Sequence, residues 1–61
     1  MITESDKEII FAIIQEKTNA EIARDFCLSV RGVEQKIKKY CREYGVKGRI
    51  GIVREFLKTS I

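Results

Sequence analysis

An all-α domain of four short helices is the fold this chain predicts, and three observations carry that expectation. Apolar residues recur every three or four positions in each segment, rather than at every second one. Hydroxyl side chains stand ahead of the first three segments, at Thr3, Thr18 and Ser29, with a glycine behind the longest, at Gly45. No proline occurs in the 61 residues to interrupt a helix.

Taken in order, the first helix is expected to open at Thr3, whose hydroxyl caps it while Glu4 and Asp6 complement its positive end, and to close at Lys17. Ile9, Ile10, Ile13 and Ile14 form its buried stripe. Thr18-Asn19-Ala20-Glu21 then reads as a capping box, in which hydroxyl and carboxylate each accept from the other residue's amide. The short second helix turns Ile22, Ala23 and Phe26 inward and ends near Asp25 or Phe26. Cys27 and Leu28 make the turn, Ser29 caps the third helix, and Gly45 ends it where the backbone must become left-handed. Gly48 marks a further break before a last helix carrying Ile52, Val53, Phe56 and Leu57.

The third helix, residues 30–44, has two opposed faces. At about 100° per residue, Val33, Ile37, Tyr40 and Tyr44 share one stripe, while Arg31, Gln35, Lys38 and Arg42 lie opposite with Lys39 beside them. A helix that sinks its apolar stripe into a small core leaves those cations and that amide in solvent. This suits the groove of a nucleic acid. Tyr40 and Tyr44 fall on the core stripe, which argues for packing rather than for stacking on bases.

Charge is distributed unevenly along the chain. The net charge of +3 is modest, but residues 1–29 set three cations against six carboxylates, whereas residues 30–49 set seven against two. A polyanion would be attracted by one half and repelled by the other, and so oriented as it approached.

Size and composition bound the remainder. The chain makes one domain, residues 1–61, near the lower limit at which a single core suffices. The longest apolar run, residues 9–14, is far too short for a membrane span or an export signal, so a cytoplasmic protein with no membrane partner is expected. Cys27 and Cys41 lack close ligand spacing, and buried or half-buried free thiols are expected of them. With no histidine and no cysteine cluster, neither metal nor cofactor is expected. No convergent acid pair or cofactor loop suggests an enzyme.

A short helix, a tight turn and a longer basic helix make a helix-turn-helix, whose second helix enters the major groove. The residues Ile2-Thr3, Glu8-Ile9-Ile10, Asn19-Ala20-Glu21-Ile22-Ala23, Phe26-Cys27-Leu28-Ser29, Val33-Glu34, Tyr44-Gly45-Val46 and Arg49 resemble, in ungapped register, the LuxR/GerE DNA-binding domain. That resemblance implies a recognition role for the third helix and a two-fold dimer contact for the fourth. It implies base reading by Glu34, Gln35 and Lys38, and phosphate contacts near Thr18, Ser29, Lys36 and Arg42. The exposed face derived above independently selects Arg31, Gln35, Lys38, Lys39 and Arg42.

The chain departs from the family pattern at several places. Gly32 stands where a threonine is usual, which removes a hydroxyl and weakens the first turn by up to ~1 kcal/mol. Ala20 replaces a frequent lysine, Lys36 a common histidine, and Glu16 the glycine that usually follows the first helix. Glu34 is an accepted variant whose carboxylate suits the amino group of cytosine.

On the last helix, Ile50, Ile52, Phe56, Leu57 and Ile61 form an apolar arc wider than one packing face needs, and are the expected dimer or partner interface. The chain reads as a stand-alone, sequence-specific binder of double-stranded DNA, acting as a small dimeric transcription regulator or as an accessory factor in recombination. The other class it admits is an interaction module that uses its last helix to capture another transcription regulator.

Overall fold

A computed structural model of the protein describes residues 1–59. Four helices follow one another: α1 (Glu4–Ile14), α2 (Asn19–Asp25), α3 (Val30–Tyr44) and α4 (Arg49–Thr59), with no strand among the described residues. The all-α helix-turn-helix expectation holds, and the caps fall where the hydroxyls were. Thr3, Thr18 and Ser29 each accept from the amide three residues on. The expected box at Thr18 and Glu21 is present, and α1 has a second one, in which Oδ2 of Asp6 accepts from the Thr3 amide at 3.0 Å.

The helices end more uniformly than they begin. Behind α1 the Lys17 amide donates to the Ala12 carbonyl, behind α2 Leu28 donates to Ala23, and behind α3 Val46 donates to Cys41. All three are Schellman closures, and each needs one residue in the left-handed region. Those residues are Glu16 at φ 63°, Cys27 at φ 56° and Gly45 at φ 66°. Only α3 uses glycine. The first helix therefore stops at Ile14 rather than at Lys17, whose ammonium reaches Asp25 at 2.8 Å instead. The same geometry lifts Cys27 into solvent, contrary to the burial expected of it, while Cys41 is half-buried; both thiols are free.

α2 packs on α3, α3 on α4 and α4 on α1, and α1 packs more lightly on α2. Ile9, Ile10 and Ile13 of α1, Ile22 of α2, Val33 and Tyr40 of α3, and Ile52 and Phe56 of α4 meet in one core. Phe11 of α1 sets its ring edge-on to Phe56, centroids 5.5 Å apart, yet keeps half its own surface in solvent. The 46–48 connection folds tightly onto the start of α4 at Gly51. A Cβ there would stand 2.6 Å from Cβ of Val46, so a side chain at Gly51 would displace the loop. No helix among the described residues is long and apolar enough to cross a membrane.

Candidate nucleic-acid interface

Between α1 and α3 lies a polar node that composition does not reveal. Asp6 is 2% exposed. Its Oδ1 accepts from the Tyr40 hydroxyl at 2.6 Å, its Oδ2 from Nζ of Lys39 at 3.1 Å, and Nζ of Lys36 stands 3.7 Å away. Burial alone would raise the carboxyl's pKa, but the bonds from the Thr3 amide, Tyr40 and Lys39 outweigh it and hold the group well below the usual carboxylate range. Burial and the same bond push the Tyr40 hydroxyl above its ordinary value. The side chain expected only to complement a helix end thus anchors α1 to the inner edge of α3.

The node divides the cations of α3 into two sets. Lys36 and Lys39, both expected at the DNA, are half-buried and share the charge of Asp6, because their positions flank Tyr40 on the core side. Arg31, Gln35, Lys38 and Arg42 are exposed, and among the described residues none of them makes a hydrogen bond or ion pair. These four follow one another along a single line of the helix. At about 1.5 Å per residue the line from Arg31 to Arg42 spans about 16 Å, which matches about five base-pair steps. Glu34 stands beside that line, and with Val30, Arg31, Gln35 and Lys38 it borders a shallow depression at the helix's leading end.

Ser29 and Thr18 are exposed at the starts of α3 and α2, each with its oxygen engaged in a cap and its hydroxyl proton unassigned by that bond. Arg49 is half-buried. At the start of α4 its guanidinium donates to the Lys17 carbonyl at 3.1 Å and to Oδ1 of Asn19. A basic residue after the third helix is a sequence signal for such a tie only once the helices are placed.

The apolar arc of α4 is corrected in part. Ile52 and Phe56 belong to the core, 0% and 6% exposed, because they face α1 and α3. The large apolar side chains of α4 left in solvent among the described residues are Ile50, 83% exposed, and Leu57. Ile61 lies outside the described residues. Beside Ile50 runs a groove bordered by Ile14, Val53, Arg54 and Glu16.

No family model matches the chain, and no solved structure matches it. Spore germination protein GerE of Bacillus subtilis (strain 168) is 33% identical over 60 residues, which are 98% of this chain and 81% of that protein. The chain belongs to the GerE family. As a GerE-family domain it combines the expected helix-turn-helix of α2, turn and α3 with the departures noted above. Glu16, in the place of the usual glycine, sits at a positive φ, and Lys36, in the place of the usual histidine, faces Asp6. In this GerE-family domain Arg31, Gln35, Lys38 and Arg42 stay exposed while Lys36 and Lys39 face Asp6.

Proposed function

We propose that the protein is a GerE-type regulator that binds double-stranded DNA with α3 in the major groove. The observation that carries this reading is the line of unpaired, exposed side chains Arg31, Gln35, Lys38 and Arg42, on a helix whose other lysines are taken up by a buried carboxylate. Gln35 suits the paired donor and acceptor of adenine, Arg31 and Lys38 suit guanine, and Glu34 suits the amino group of cytosine. Arg42, Ser29 and Thr18 contact phosphates and set the register. Lys36 and Lys39 support the interface from its inner edge.

One domain of this size makes few contacts, so a homodimer on two half-sites about one helical turn apart supplies the affinity. Ile50 and Leu57 on α4 form its contact. The exposure of Ile50 also favours a second reading, in which that face docks another transcription regulator.

The test is a salt series of binding to random duplex DNA, beside a Lys38→Ala/Arg42→Ala variant. Binding that falls steeply with salt, and less steeply in the variant, supports the reading. A folded sample that binds no duplex at low salt sinks it and directs the search to the face around Ile50.

A further inference from the structure

Val30, the first residue of α3, is apolar and 44% exposed. The fold accounts for neither property. The side chain takes no part in the core, although Val33 three residues on is wholly buried. The cap of the helix belongs to Ser29, whose hydroxyl oxygen accepts from the Gly32 amide at 2.9 Å. A carboxylate at the position of Val30 would favour the positive end of the helix, yet the first turn of α3 holds no acid. A β-branched side chain in solvent there weakens the helix slightly and adds nothing to the core.

The neighbours of that side chain are more telling. With Arg31, Glu34, Gln35 and Lys38 it borders the shallow depression at the leading end of α3, and it is the apolar member of that border. In a helix-turn-helix the first residues of the recognition helix reach the base edges. The major groove shows a protein hydrogen-bond donors and acceptors, and one apolar group, the 5-methyl of thymine. Arginine, lysine, glutamine and glutamate between them match the donors and acceptors of guanine, adenine and cytosine, and none of them matches that methyl. An isopropyl group in their midst does.

We infer that Val30 is a specificity-determining residue whose side chain packs on the 5-methyl of one thymine. The inference rests on the DNA-binding reading above and adds to it the base feature that the hydrogen-bonding residues of α3 leave unread. Val30 and Glu34 are four residues apart, about 6 Å along the helix. The thymine therefore lies within about two base-pair steps of the base that meets Glu34.

The test uses a duplex selected by the unaltered protein from a random pool, in which each thymine in turn is replaced by deoxyuridine, a base that lacks only the methyl. For the unaltered protein, one replacement should weaken binding about fourfold, the value of one methyl group removed from water. Val30→Ala deletes the isopropyl group and leaves a strong helix former in its place; circular dichroism confirms that the variant is folded. On the natural duplex this variant should bind more weakly, and the same deoxyuridine should weaken it no further. Lys38→Ala, which removes a polar neighbour, should keep the fourfold response. A response that survives in Val30→Ala overturns the inference, and so does a selected duplex on which no thymine responds in the unaltered protein. An unaltered protein that binds no duplex overturns the DNA reading and this inference together.

Discussion

The hydroxyl of Tyr40 donates to Oδ1 of Asp6 at 2.6 Å, inside the core and across thirty-four positions of sequence. A buried carboxylate without such partners would be expelled or protonated, and here the partners all come from Thr3 and α3. The contact ties α1 to α3. Tyr40→Phe keeps the ring and removes the donor, and should lower the free energy of unfolding by about 2 kcal/mol, typical of a bond to a charged group. Urea unfolding followed by circular dichroism measures it.

The same carboxyl gives the protein a pH signature. Its folded pKa lies below the unfolded value, so its contribution is complete above the ordinary carboxylate range and is lost as pH falls below about 4 toward the folded pKa. Stability measured from pH 7 to pH 2 should fall across that range. In Asp6→Asn the fall should be shallower and the neutral-pH stability lower. Parallel curves for the two proteins would contradict this account.

Left-handed residues at two helix ends are a reserve of stability. Glu16→Gly should raise stability by about 1 kcal/mol, because glycine adopts that backbone without the cost a Cβ brings. Gly45→Ala should lower it by a similar amount, and thermal unfolding of the pair should move in opposite directions.

Gly51 is needed for space rather than for its backbone angle. Gly51→Ala forces its methyl against Val46 and should cost about 1–3 kcal/mol. Val46→Ala made in the same chain should recover part of the loss, since the clash is with that side chain. A double-mutant cycle with no coupling would show that the loop simply moves aside.

The two sets of cations on α3 should separate experimentally. Arg42→Ala should reduce the slope of log affinity against log salt by about 0.9, the effect of one phosphate. Lys39→Ala should change that slope less and stability more, because its ammonium is bonded to Asp6.

Ile50→Glu should leave helicity intact, as the side chain is in solvent, and should abolish self-association if α4 is the dimer contact. Sedimentation with and without DNA decides it; dimers that persist in the variant remove α4 from that role.

The caps, the turn and the two faces of α3 were legible because each depends on residues within four positions of one another. The Thr3 and Thr18 hydroxyls and Gly45 act through local backbone bonds, and Val33 and Tyr40 through helical periodicity. What stayed hidden depends on distant partners. Nothing near Asp6 in sequence announces Tyr40, so Lys36 and Lys39 could not be told from Lys38 by charge alone. On α4, Ile50 and Ile52 are equally apolar, and only the position of α1 and α3 puts one in solvent and the other in the core. Arg49 reads as one more cation until α2 is placed beside it.

The Asp6 contact closes a loop that contains all of α2, the turn and most of α3. The α2-turn-α3 unit therefore sits inside a clasp, and α1 cannot detach without exposing the inner edge of α3. Local opening of that unit, separate from global unfolding, should be suppressed. In hydrogen exchange the central amides of α1 and α3 should share one protection level, equal to the stability of the whole domain.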